Sequence, residues 1–231
     1  MKDNPRTLAE RPPAIPSGDD LERFAGYGVM GAPFASGHCL ALRHFPASSI
    51  GEGYDAVWHR DPAGRWAIFS SNKPENSCSR YFGSALEEAR SAHISVTWTG
   101  SHTLTVAVDE KIVWDLELRT SPATAAMTRI AGLMPAAWWN SDTVLKLMSR
   151  FAGRALGVGR IRLTGRASNG HRFRATPRML WTVQGSRATI DGVDIGPPGP
   201  LAEQARLGDF WLPQRAIFAI GETYFDPSPA D

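Results

Sequence analysis

Acidic and imidazole side chains close together in sequence are where proton transfer would be sought, because such groups can be tuned to titrate near neutral pH. His38 and His44 lie on either side of Arg43 in number, with Glu52 a few residues on. The four form a candidate acid/base set if the fold brings them together. A lone histidine is more often structural, so the set is weighed against plain packing. No two of the six histidines stand at i, i+4 on a helix, and no Cys-x-x-Cys is present, so no metal site is expected. An imine-forming enzyme needs a lysine in a dry site. Only four of the 25 basic residues are lysine, and Lys146 alone has apolar neighbours on both sides. A helix lysine laying its stem along apolar surface accounts for it. Gly157-Val-Gly159 leads into a strand and cannot cradle phosphate at a helix start. Neither a Gly-x-Ser-x-Gly elbow nor a Walker pattern occurs. Arg160, Arg162, Arg166, Arg172, Arg174 and Arg178 cluster around His171, but without interleaved exposed aromatic residues no nucleic-acid partner is expected.

The elements that must position these residues are mainly strands. Residues 1–18, rich in proline, read as a disordered arm, and residues 19–231 as one domain. Asp19–Phe24 reads as a helical turn, and Gly26, Gly28, Gly31 and Pro33 as a break in regular structure. Gly37–His44 reads as a strand, and Tyr54–His59 with Trp66–Ser70 as a hairpin turned by Asp61-Pro62-Ala63-Gly64. Ser79–Ala92 has Phe82, Ala85, Leu86 and Ala89 at helical spacing and carries the pair Glu87–Glu88. Three alternating strands follow: Ile94, Val96 and Trp98 share a face, as do Leu104, Val106 and Val108, and then Ile112, Trp114, Leu116 and Leu118. The opposite face, with Asp115 and Glu117, meets water in an open sheet or lines the lumen of a barrel. Residues 122–156 form a helical insert of two helices capped by Ser121 and Ser141, rich in methionine and tryptophan. It reads as a lid over an apolar ligand, or as core or an oligomer contact. Strands return over Val158–Thr164, His171–Val183, Arg187–Ile190 and Pro213–Phe225.

Composition bounds the class. The chain has 231 residues, 42% hydrophobic and 21% charged, with a net charge of +2. These are values for a globular domain with its own core, and too weakly basic to imply nucleic acid. No run reaches 18 apolar residues, and the N-terminus has no apolar signal region, so a cytoplasmic protein with no membrane span and free thiols at Cys39 and Cys78 is expected.

The order of elements resembles the acetoacetate decarboxylase superfamily. The resemblance rests on Cys78-Ser-Arg-Tyr-Phe-Gly-Ser-Ala-Leu-Glu-Glu-Ala-Arg with Ile94-Ser-Val-Thr-Trp and Thr103-Leu-Thr-Val-Ala-Val, on Gly185-Ser-Arg-Ala-Thr through Pro197-Pro-Gly-Pro-Leu, and on Phe210-Trp-Leu-Pro-Gln-Arg-Ala-Ile-Phe. It implies an α+β, mainly antiparallel fold, a closed or cone-like β-barrel with a helical insert, in a homo-oligomer without a cofactor. It also places the family's reactive lysine pair on Glu87 and Glu88, which cannot form an imine, and the family's pocket glutamates near His38 and Glu52–Asp55. A lyase, dehydratase or cyclase acting on a small or medium apolar carbonyl or carboxylate compound is then expected. Its candidate catalytic residues are Glu87, Glu52 and His38, and its candidate substrate-binding residues are Arg80, Arg43, Asp115 and Glu117. The alternatives are a non-catalytic carrier of a hydrophobic ligand and a lipocalin-like hydratase.

Overall fold

The computed structural model describes residues 4–17 and 20–228. A short helix, α1 (Pro5–Ala9), precedes strands β1 (Glu22–Pro33), β2 (Cys39–Ser48), β3 (Tyr54–Arg60) and β4 (Trp66–Ser70). One helical turn, α2 (Ser79–Phe82), leads to β5 (Glu88–Ser91), β6 (Ile94–Trp98), β7 (Thr103–Val108) and β8 (Ile112–Arg119). The insert is α3 (Pro122–Leu133) and α4 (Asp142–Ala155), and it is followed by β9 (Thr164–Arg166), the long β10 (Arg172–Ile190) and β11 (Val193–Asp194). The small pair β12 (Arg206–Leu207) and β13 (Phe210–Trp211) stands apart from the main sheet, and β14 (Ile217–Phe225) closes the described chain.

The main sheet runs β5-β4-β3-β2-β1-β14-β10-β8-β7-β6 and is antiparallel except for the β4–β5 pair. One apolar cluster takes Val29 from β1, Leu42 from β2, Val57 from β3, Phe69 from β4, Val106 from β7, Trp114 from β8 and Phe218 from β14. Strands so far apart in the sheet can share one cluster only if the sheet curls around it. The result is an open half-barrel: the edge strands β5 and β6 are consecutive in the chain but do not pair with each other. Its inner face is filled by these side chains, and not by a lumen for a guest. The outer face carries a second cluster, with Phe24, Ala41, Phe45, Trp58 and Tyr81. Adjacent strand residues point to opposite faces, so Leu42 enters the inner cluster and Arg43 the outer one.

Several segments differ from the sequence reading. Where the glycines suggested a break, β1 is continuous for 12 residues. A Cβ at Gly28 would lie 2.1 Å from the carbonyl oxygen of Leu42, and one at Gly26 only 1.9 Å from that of His44. The glycines there allow two strands to approach closely. The expected helix over 79–92 stops after one turn. Asn169 ends it, accepting from the Ser84 amide and donating to the Arg80 carbonyl. The exposed edge of β4 then captures the following residues, beginning with the Glu87 amide donating to Trp66, because a sheet edge offers partners that a frayed helix end lacks. Residues 158–163 are irregular, and β10 runs unbroken through residues 184–186. Within the expected arm, Asn4 caps α1 and Ala9 is buried against the inner cluster. Asp19 lies outside the described residues, and Glu22 onward is strand.

Candidate functional site

A cavity of about 140 Å³ lies between the outer face of the sheet and the insert. Its floor includes Arg43, Trp58 and Ala219, and its roof Met127 and Ile130 of α3 with Met148 and Ala152 of α4. The roof is held by caps and polar anchors. Ser121 and Thr124 form a reciprocal capping box at the start of α3, which satisfies two otherwise open amides. The Thr128 hydroxyl accepts from the Leu180 amide, tying α3 to β10. Ser149 donates to Leu145 and accepts from Leu163, fixing α4 to the chain that follows it.

The lining is apolar apart from a few groups, and Arg43 is the decisive one. It is 5% exposed. A β-bulge in β1 between Val29 and Ala32 lies where its Nη1 donates to the carbonyls of Val29 and Leu42, at 2.8 and 2.7 Å. Its guanidinium carbon stands 4.7 Å from the ring centre of Trp58 and 5.4 Å from that of Phe210. Its Nη2 is buried without a hydrogen-bond partner. Burial pushes the Arg43 pKa down to about 10, so the group still carries its charge at neutral pH. Close by, the Tyr54 hydroxyl and the Cys78 thiol stand 3.3 Å apart. Burial raises both pKa values, so both stay protonated. The charge of Arg43 therefore faces a mainly apolar cavity, with no carboxylate among the described residues hydrogen-bonded to it, where an unpaired ion is costly.

The other expected site residues are not gathered here. Glu87, the position the resemblance gives to the reactive lysine, is exposed at the surface beside β5, 3.7 Å from Arg65. Glu52 is exposed in the loop before β3. His38 stacks on His59, with Nδ1 2.9 Å from His59 Nε2, and burial lowers the pKa of both. Arg80 is bound to Glu22 at 2.8 Å, and Glu22 also accepts from the Tyr81 hydroxyl. Asp115 and Glu117 face outward, not into a lumen, because Trp114, Leu116 and Leu118 take the inner positions of β8. His44 lies on the face opposite Arg43, 2.6 Å from Asp55 and against the ring of Tyr27. Among the described residues, no group of three or more histidine, cysteine, aspartate or glutamate side chains is placed to hold a metal ion.

The chain is similar to an acetoacetate decarboxylase. A crystal structure of that protein from Legionella pneumophila matches 95% of this chain and 92% of its own, at 9% identity and a TM-score of 0.42. The likeness is one of chain path, and the chemistry of the cavity rests on its own residues. No protein-family model matches the sequence, and no curated protein does.

Of the expected site residues, Arg43 alone lines the cavity. Trp58 and Phe210, far apart in the chain, flank it, a pairing that no local pattern of residues announces. The pairings of His38 with His59 and of His44 with Asp55 depend on the β2–β3 register. A signal did exist in the alternation of β2, where a charged residue occupies a position otherwise taken by Ala41 and Phe45.

Proposed function

We propose that this protein binds a small or medium apolar carboxylate, with the anion on Nη2 of Arg43 and the apolar body in the cavity beneath α3 and α4. The observation that carries this reading is a buried, unpartnered guanidinium edge on an arginine that lines an apolar cavity. Apolar cavities of roughly 150 Å³ stay dry and accept a benzene-sized guest, and a hydrogen bond to a charged group in such surroundings is among the stronger ones. Binding explains the orphan charge more directly than catalysis does. The carboxylates expected to drive an acid/base reaction lie elsewhere. Glu222 also lines the cavity, and its Oε2 accepts from Thr176, Arg178 and Tyr224. A lyase-type reaction on an apolar carbonyl compound would fall to Glu222 as base, with Arg43 on the carbonyl oxygen.

The test is calorimetric titration with benzoate and octanoate, each against its uncharged amide. The acids bind and the amides bind at least about tenfold more weakly, as the loss of one charged hydrogen bond implies. Arg43→Met abolishes that preference. It also leaves the protein folded: the loss of the hydrogen bonds to the Val29 and Leu42 carbonyls costs about 1–3 kcal/mol, offset in part by removal of a buried charge. Equal affinity for acid and amide, or a preference for the acid that persists in Arg43→Met, would sink the proposal. A catalytic role predicts turnover of a bound carbonyl compound that Glu222→Gln removes while binding persists.

A further inference from the structure

Large apolar side chains are left exposed mainly on the insert. Ile130 and Leu133 of α3, Trp138 in the connecting turn, and Leu147 and Phe151 of α4 are all 48% exposed or more, and Leu133 reaches 84%. On α4, Leu147 and Phe151 are one turn apart and flanked by Lys146, Arg150 and Arg154, all exposed. Arg129 lies beside Ile130 on α3 and is exposed too. Between Pro122 and Ala155 the chain holds four basic residues and a single acidic one, Asp142, which is paired with Arg172. None of the four basic residues forms an ion pair among the described residues.

We infer that the insert docks on an anionic lipid bilayer, with its exposed apolar side chains in the interfacial layer and its basic residues on the lipid headgroups. Helices that lie on membranes combine Trp, Phe and Leu with Lys and Arg around them. No helix among the described residues is long and apolar enough to cross a membrane, so the insert lies on the surface. A second copy of the chain is the weaker occupant, because a symmetric contact through this face would bring the two unpaired basic sets together. Charge complementarity favours a negatively charged surface instead. The placement also connects with the cavity. Ile130 both lines it and is half exposed, so its roof is the part that meets the lipid. Resting on the carboxylate-binding reading above, the inference extends it: the guest is an amphiphilic acid that passes between the bilayer and Arg43.

The experiment is sedimentation of the full chain with vesicles of phosphatidylcholine alone and of phosphatidylcholine with phosphatidylglycerol. The chain pellets with the anionic vesicles and at least about tenfold less with the neutral ones, and added salt weakens the binding. The double variant Leu147→Glu, Phe151→Glu and the triple variant Lys146→Glu, Arg150→Glu, Arg154→Glu each lose pelleting. Both keep the parent circular dichroism and octanoate affinity, since none of these side chains lines the cavity. Arg43→Met does the reverse, so a failure of docking and a failure of carboxylate binding are told apart. Equal pelleting of parent and variants overturns the inference, as does no pelleting at all. A dimer seen by sedimentation velocity and lost in the Leu147, Phe151 variant overturns it in favour of a contact between copies.

Discussion

Buried against His38 and within reach of the charges of Asp61, Lys111 and Asp191, His59 has its pKa lowered to about 4, chiefly by desolvation. An unfolded chain protonates the same imidazole at about 6.5. As pH falls below 6.5 the unfolded state takes up the proton first, so the stability that His59 supports is fully present above about 6.5 and is lost as pH falls to about 4. The gap corresponds to something on the order of 3 kcal/mol. Thermal melts between pH 7 and 4 should show that decline, and His59→Asn should flatten most of it. An unchanged slope in the variant would assign the acid lability to other groups. The same chemistry shows which single residues could be read from the sequence. Arg43 could, because its charge sits inside an alternating apolar strand. The partners of His38 and His44 could not, because they belong to the next strand and depend on a register that spacing alone does not give. The surface position of Glu87 could not be read either, because the helical spacing over 79–92 does not show that the helix ends at Phe82 and that Glu87 follows it as an exposed residue.

Close approach of backbone explains β1, the strand the sequence hid most completely. Glycine usually weakens a strand, yet here a side chain at position 28 would meet the Leu42 carbonyl at 2.1 Å, backbone that cannot rotate away. Gly28→Ala should therefore push β1 from β2 and cost about 3 kcal/mol, at the upper end of ordinary single substitutions. Gly132→Ala, with nothing within 4 Å of the added carbon, should be neutral or slightly stabilising in its helix. Urea unfolding of the two variants makes the comparison, and equal midpoints would show that β1 tolerates the displacement. The elements legible in advance were those with a strict period and a clear cap. β6, β7 and β8 alternate residue by residue, and α3 and α4 begin at Ser121 and Ser141 as their caps indicate. The 79–92 segment had helical spacing too, but a sheet edge and the Asn169 side chain outweighed it, and both come from distant parts of the chain.

The way the sheet curls decides where a guest can bind. A half-barrel suggests an occupied interior, but the inner face is packed with Trp114, Phe69 and Phe218, each fully buried, and close-packed interiors leave no room for a ligand. The space lies on the other face, under two helices that bury little of their own surface: the small cluster joining them contains only Ala131, Trp139 and Leu145 as buried members. Pattern in the sequence could announce an insert and a sheet, but not which face of the sheet the insert would cover. That arrangement implies unequal stability across the molecule, because regions with few buried apolar contacts open at lower free energy than the core. Hydrogen exchange should therefore be faster in α3 and α4 than in β1, β8, β10 and β14. Octanoate should slow exchange in the two helices and leave the sheet unchanged, since a guest held between roof and floor stabilises only the closed arrangement. Slowing confined to the inner strands would place the guest inside the curl, and uniform exchange across helices and sheet would mean that the insert and the half-barrel open together as one unit.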